Sequence, residues 1–371
     1  MIKYYDYRRR HPDARSDILQ MMDHQVGRGE FILKDAVSTF ERALADKVGA
    51  RHAICVSSGT SAMTLGLIAA GIGPGDEVIT PAFCYVAAAS AIIQAGAIPV
   101  FADVLSECFT LAPQSVARLI TPRTRAVLVA HVFSGLANIA AIRAVLPARV
   151  LILEDSATAF GARYDNKPAG TLGDVGVYSF FPAKPLGGLG DGGAVITEDD
   201  EVARRVRMLR NHGQDGTRRF YHQMLGFNSR MDDLNAAWLS RQLRDNDRQL
   251  ARKQAIALRY DAAVAQSAGF LTAQRRGTAD FSPHAYVVRC RSRDRFVRHM
   301  YQANVQTKVH FGTLLPEQPA FQQWAGAKAA YAQARALTGE CVAIPLCAGM
   351  DEHQVARVVD SVLEFAHESA L

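Results

Sequence analysis

Ala53-Ile-Cys-Val-Ser-Ser-Gly-Thr-Ser-Ala62 joins a short apolar run to small and hydroxyl-bearing residues that open an apolar helical pattern. The same rhythm recurs from about Ala53 to Thr197. Glu77-Val-Ile-Thr80, Pro99-Val-Phe-Ala102, Arg125-Ala-Val-Leu-Val-Ala130, Val150-Leu-Ile-Leu153 and Gly193-Ala-Val-Ile-Thr197 read as further strands separated by helices. Runs that are apolar on both faces belong to a largely parallel sheet covered by helices on both sides, which makes the chain α/β. After Thr197 the texture changes to charged helical stretches, Glu201 to Asn211 and Met231 to Val264. From about Ala265 onward, a strand at Ala285 to Cys290 and a last helix near Asp351 to Phe365 indicate a smaller α+β unit.

The 371 residues exceed the roughly 100 to 200 of a single domain, so two packed domains are expected. With 49% hydrophobic and 21% charged residues, neither disorder nor a membrane protein is indicated. The apolar stretch from Tyr85 to Pro99 falls short of the roughly 20 residues of a membrane span and reads as a buried helix feeding a strand. No apolar run follows the charges of the first ten residues, so the N-terminus lacks the layout of a secretory signal and a cytoplasmic protein is expected. The six cysteines are scattered without a Cys-x-x-Cys pair and read as buried thiols rather than disulfides or a metal site. The net charge of +6 is dispersed, and its densest runs, Arg8 to Arg10 and Arg204 to Arg210, lie among acidic or apolar neighbours. That argues against nucleic acid and suits an anionic cofactor or a phosphorylated substrate.

Three segments carry chemistry. In Val56 to Ala62, Gly59 allows a tight turn, and Thr60 and Ser61 can cap the helix or offer hydroxyl and N–H donors to a phosphate; capping alone is the plainer reading. Leu151-Ile-Leu-Glu-Asp155 is a strand ending in two acids, where α/β proteins place ligands. Asp155 could ligate a metal, cap the next helix or hold a proton on a cofactor ring. Gly173 to Gly193 sets Lys184 among aromatic, proline and glycine residues. Such desolvation disfavours the ammonium and leaves an amine able to attack a carbonyl. The glycines after Lys184 would let a planar group approach the backbone. An anion cradle, a strand-end aspartate and a later lysine are together what pyridoxal 5'-phosphate (PLP) needs for its phosphate, its ring nitrogen and its aldehyde.

From about Gly29 to Phe365 the chain resembles the DegT/DnrJ/EryC1/StrS family of PLP-dependent sugar aminotransferases. The likeness rests on Gly29-Glu-Phe-Ile-Leu33, Ser58-Gly-Thr-Ser-Ala62, Gly73 to Pro81, Gly96 to Asp103, Glu154-Asp155, Ser179-Phe-Phe-Pro-Ala-Lys184, Leu209-Arg-Asn-His-Gly213 and Gly226-Phe-Asn-Ser-Arg-Met231. The resemblance implies fold type I, the aspartate aminotransferase fold: a large domain with a mostly parallel seven-stranded sheet (residues 1–245) and a smaller α+β domain (246–371). It implies that Lys184 is the Schiff-base lysine and that Asp155 pairs with the pyridine nitrogen. Gly59, Thr60, Ser61 and Ser179 would hold the phosphate, and Tyr85 would stack on the ring. Asn228, and Arg230 beside it, would cross to a neighbouring subunit's cofactor, implying a homodimer with shared active sites. His310 would border the substrate pocket. Two departures stand out. Thr158 occupies a place near the cofactor's phenolic oxygen where the family has Gln or His, and the family's Pro-Leu-His motif has no match near Leu314 to Glu317.

The implied reaction is transfer of an amino group from an amino acid, glutamate above all, to a keto sugar, nucleotide-linked, or a keto-cyclitol. One rival is a PLP-dependent sugar dehydratase, a branch in which His replaces the lysine that is present here as Lys184. Another is a catalytically silent regulator on the same fold.

Overall fold

Seven strands of the computed structural model, which describes residues 1–12, 14–218, 220–278, 280–325 and 331–370, build one central sheet. They are β1 (His52–Val56), β2 (Glu77–Pro81), β3 (Ile98–Ala102), β4 (Thr124–Ala130), β5 (Leu151–Asp155), β8 (Val175–Ser179) and β9 (Gly193–Thr197). The short pair β6 (Arg163–Tyr164) and β7 (Lys167–Pro168) stands apart from it. The strand order is β1-β9-β8-β5-β4-β2-β3, parallel from β8 across to β3, with β9 running against both of its neighbours. Five of the expected strands lie within two residues of their observed bounds, and the sixth, Gly193–Thr197, coincides with β9. Strand β8 carries no continuous apolar run in the sequence, because Gly176 interrupts the pattern that marks the others.

The helices of the first half are α1 (Tyr7–Arg10), α2 (Ala14–Arg28), α3 (Asp35–Val48), α4 (Gly59–Ala69), α5 (Ala87–Gln94), α6 (Pro113–Leu119) and α7 (Ile139–Val145). Helix α5 followed by β3 bears out the reading of Tyr85 to Pro99. Helix α3 buries Val37, Phe40, Leu44 and Val48, an i, i+3, i+4 stripe, and ends at Gly49 in the left-handed region. Its N-terminus is satisfied from far away in sequence: the buried carboxylate of Asp233 accepts the N–H groups of Lys34, Ala36 and Val37.

Then follow α8 (Asp200–Arg210), α9 (Asp233–Ala265), α10 (Arg293–Gln302), α11 (Ala332–Glu340) and α12 (Glu352–Ala370). The long helix expected from Met231 starts at Asp233, and position 245 lies in its middle. Ala236, Leu239 and Leu243 pack beside α3, whereas Ile256, Ala257 and Tyr260 join a second core with Phe296, Met300, Val358 and Phe365. A second, antiparallel sheet, β10 (Thr272–Ala273), β11 (Tyr286–Arg289) and β12 (Cys341–Ile344), separates this core from the large one. Alternation along its strands does the separating: Tyr286, Val288, Val342 and Ile344 face the second core, Val287, Cys341 and Ala343 the first. All six cysteines are buried free thiols. Among the described residues no helix is long and apolar enough to cross a membrane.

Candidate active site

Register puts the ends of the central strands level. Asp155 pairs with Ala130 and Val177, and Gly193 lies between Val56 and Ser179. The loops after these ends, with segments from the second sheet, enclose a cavity of about 550 Å³. A cavity of about 630 Å³ behind the second sheet carries no comparable chemistry: its Arg289 is paired with Glu340.

One wall is the start of α4. Ser58, not Thr60 or Ser61, is the N-cap, its Oγ accepting the N–H of Ser61 at 3.1 Å. Ser58, Gly59 and Thr60 line the cavity; Ser61 lies behind them, its hydroxyl bonded to those of Ser57 and Ser58. A Cβ on Gly59 would sit 2.7 Å from Cβ of Ser179, so glycine is what brings the helix end against the end of β8. Among the described residues no protein acceptor takes the N–H of Gly59 or Thr60, which is how a helix presents itself to an anion.

The floor is Asp155, which is 8% exposed. Oδ1 accepts the N–H of Ala157 at 3.0 Å, within a turn, so the residue caps no helix. Burial raises its carboxyl above the ordinary value, against the pull of the Ala157 N–H and the Lys184 charge. Lys184 faces the same cavity, and burial lowers its amine, against the pull of Asp155. Both groups are pushed toward their neutral forms, the condition in which one welcomes a cationic partner and the other an electrophile.

Thr158 lines the cavity, but its hydroxyl donates to the carbonyl of His131 at 2.8 Å, so only its lone pairs are left to face a ligand. Tyr85 is 60% exposed at the mouth, its ring tilted at 6.5 Å from that of Phe311. Ser179 and His310 are on the wall; Asn228 and Arg230 are not, and Arg230 bonds Asn211 instead. The expectation for the glycines after Lys184 is corrected. Gly188 is held against Asn235 and the carbonyl of Phe180, and Gly193 against the backbone of Ser58; these contacts dock the loop on α9 and on the start of α4, and neither glycine lines the cavity.

Several cavity residues escaped the sequence reading: Tyr4 and Tyr5, Cys84, His131, His284 and Lys308. His131 carried a usable signal, as the first polar residue beyond the apolar β4. Its Nε2 donates to Glu154 at 2.7 Å while Nδ1 accepts the N–H of Ala137, which fixes the tautomer. Burial and nearby Lys308 and Lys184 lower His310 to about 4, and burial with surrounding cations lowers His284 as well. Both rings are therefore neutral near pH 7. Nδ1 of His284 is buried without a partner among the described residues.

Residues 12–363 match the profile of the DegT/DnrJ/EryC1/StrS aminotransferase family. The chain belongs to that family. The "Pleiotropic regulatory protein" of Geobacillus stearothermophilus is 34% identical over 363 residues, with 97% of each chain covered. The UDP-2-acetamido-2-deoxy-3-oxo-D-glucuronate aminotransferase of Pseudomonas aeruginosa is 37% identical over 325 residues, 86% of this chain and 89% of that one. The crystal structure of S. venezuelae DesV in complex with a ketimine intermediate superposes with a TM-score of 0.92 at 33% identity, covering 98% of both chains. Family and fold thus agree with the resemblance carried by the sequence motifs.

Proposed function

We propose that this DegT/DnrJ/EryC1/StrS family member is a PLP-dependent aminotransferase that moves the amino group of an amino acid, L-glutamate in the first instance, to a keto sugar, nucleotide-linked, or a keto-cyclitol. The observation that carries the proposal is the pairing, in one cavity, of Lys184 and Asp155, each shifted by burial toward its neutral form.

The residues present fit the cofactor. The free N–H groups of Gly59 and Thr60 and the hydroxyls of Thr60 and Ser179 suit its phosphate, with Ser61 supporting Ser58 from behind. The Asp155 carboxylate suits a protonated ring nitrogen, since a cation there offsets the burial that raises its pKa. Tyr85 offers a flat face to the ring. Thr158 can only accept near the ring hydroxyl. When bound, PLP supplies an aldehyde that captures amino groups and a ring that withdraws electrons. Lys184 would supply the attachment and, once released, an amine whose pKa burial lowers, which takes the proton from the α-carbon of the amino donor and, in the second half-reaction, delivers one to the former carbonyl carbon of the acceptor. His310, lowered to about 4, and Lys308 line the same cavity and are available to meet the acceptor. Asn228 and Arg230, away from their own chain's cavity, reach that of a second copy in a homodimer.

The relatives support this substrate class: the Pseudomonas enzyme is named for a keto-sugar nucleotide. The regulator reading has the name of the Geobacillus relative in its favour, but nothing in regulation alone asks for a desolvated lysine facing a buried aspartate. The test is incubation of PLP-loaded protein with glutamate. Stoichiometric 2-oxoglutarate is expected, then amination of one member of a panel of keto-sugar nucleotides and keto-cyclitols. Borohydride should fix the chromophore on Lys184, and Lys184→Ala should have none to fix. Absence of a half-reaction with every amino donor would leave the regulator or the dehydratase.

A further inference from the structure

The first eleven residues form a strap across the cavity. Ile2 pairs with Val305, its N–H donating to the carbonyl of Asn304 at 2.7 Å and its own carbonyl accepting the N–H of Gln306 at 2.9 Å. Tyr4 follows on the cavity wall, with Oη 3.4 Å from Nε2 of His310. The hydroxyl of Tyr5 donates to the carbonyl of Pro182 at 2.6 Å. Helix α1, with Asp6 as N-cap, then delivers Arg10 to the underside of the loop that carries Lys184.

There the guanidinium meets a row of carbonyls. Nη1 donates to the carbonyl of Lys184 at 2.8 Å and to that of Pro182 at 3.3 Å; Nη2 donates to the carbonyl of Pro185 at 2.6 Å; Nε donates to Oε1 of Gln249 on α9 at 3.1 Å. Among the described residues no carboxylate forms an ion pair with Arg10, so its donors serve the loop. The loop needs them. Pro182 and Pro185 have no N–H, and its carbonyls turn inward, where the fold-back at Gly187 would put a Cβ 2.3 Å from the Pro182 oxygen. A planar fork with five donors can hold three carbonyls at once, whereas an ammonium acts from one point.

We propose that Arg10, assisted by Tyr5, is the positioning residue of Lys184: by clamping the carbonyls on both sides of the lysine, the N-terminal strap sets the direction from which Nζ enters the cavity. The catalytic consequence rests on the reading of Lys184 as the cofactor-bearing lysine; the clamp itself does not. A lysine that must both hold a cofactor and meet a substrate proton is sensitive to misplacement on the ångström scale.

The test uses full-length Arg10→Ala, Arg10→Lys and Tyr5→Phe. In protein without added cofactor, amide hydrogen exchange at residues 183–190 should accelerate by about tenfold or more in Arg10→Ala, with β8 and α4 unchanged. Arg10→Lys should not rescue it, and Tyr5→Phe, which removes one donor, should show a smaller acceleration in the same segment. With PLP and glutamate, kcat should fall by about 10- to 100-fold in both Arg10 variants while KM moves little, a split that general loosening of the fold would not produce. Unchanged exchange at 183–190 in Arg10→Ala, or full rescue by lysine, overturns the clamp. Should Arg10→Ala fail to fold, the localised acceleration in Tyr5→Phe decides, and its absence overturns the proposal. A wild-type protein without a borohydride-fixable chromophore would sink the reading of Lys184 and leave the exchange result standing by itself.

Discussion

Glu154 and Asp155 are adjacent acids, both buried, with opposite electrostatics. Strand alternation sends them to different sides of β5. Glu154 accepts from Nε2 of His131 at 2.7 Å, from the N–H groups of Leu172 at 2.8 Å and Gly173 at 3.0 Å, and also from Gly170 and Ser156. Burial raises its pKa, but these donors, His131 foremost, bring it below the ordinary carboxylate value. Asp155, with one backbone donor, is left above it. Glu154→Gln places an amide N–H against backbone donors and should cost about 2 to 4 kcal/mol of stability at pH 7. The sign of the pH dependence follows from the depressed folded value. The ionised form stabilises fully above the unfolded-state value of about 4.3, and that contribution fades as pH falls through the depressed one. Urea midpoints of wild type and Glu154→Gln should therefore lie far apart at pH 7 and converge in strong acid. An equal gap at pH 7 and pH 3 would mean that ionisation is not what stabilises the pair.

At the scale of elements, the N-terminus of α4 is held against the end of β8 by the absence of a single Cβ. Gly59→Ala suits the helix by propensity, so any loss isolates the contact with Ser179. A cost of about 1 to 3 kcal/mol and a weaker grip on PLP, by about tenfold or more, are expected from overpacking and a displaced anion site. Ser179→Gly in the same chain removes the nearest atom and should recover part of the stability, which a double-mutant cycle in denaturant would read; additive losses would deny the contact. Elements of this kind were legible where physics is local. Strands β1 to β5 announce themselves because both faces are buried, and α8, α9 and α12 because of their helical spacing. What stayed hidden is long-range pairing. Asp233 satisfying the start of α3, Asn235 accepting the N–H of Leu189, and Arg10 beneath the Lys184 loop join residues at least 46 positions apart through side chain-to-backbone bonds that leave no periodic trace. The glycines after Lys184 leave no such trace either: Gly188 packs on Phe180 and on Asn235 of α9, and Gly193 on Ser58. Lys184 and Asp155 were visible from sequence because strand ends and desolvated lysines are themselves local signals.

For the whole molecule, we propose that the segment between α8 and α9 meets a second copy of the chain. Its backbone is stapled to itself and to the end of α8, with His212 donating to the carbonyl of Phe227, Gln223 to that of Gly213 and Phe227 to that of Leu209. It nevertheless holds Leu225 at 95% exposure and Phe227 at 41%. An ordered arm with apolar side chains in water is what an interface looks like before its partner is added. Asn228 and Arg230 follow directly on this arm, outside the cavity of their own chain. In a homodimer the arm would carry them toward the other cavity, so loss of the dimer and loss of the site should coincide. Leu225→Asp tests this cleanly, because a side chain so exposed contributes almost nothing to the fold of its own chain. Wild type should sediment at twice the 40.4 kDa chain mass, and Leu225→Asp at the chain mass with unchanged helix content. The variant should also release PLP more readily, by about tenfold or more, if the partner completes the site. A Leu225→Asp protein that is monomeric yet keeps PLP and activity would separate assembly from catalysis, and each cavity would then have to work with the residues of its own chain.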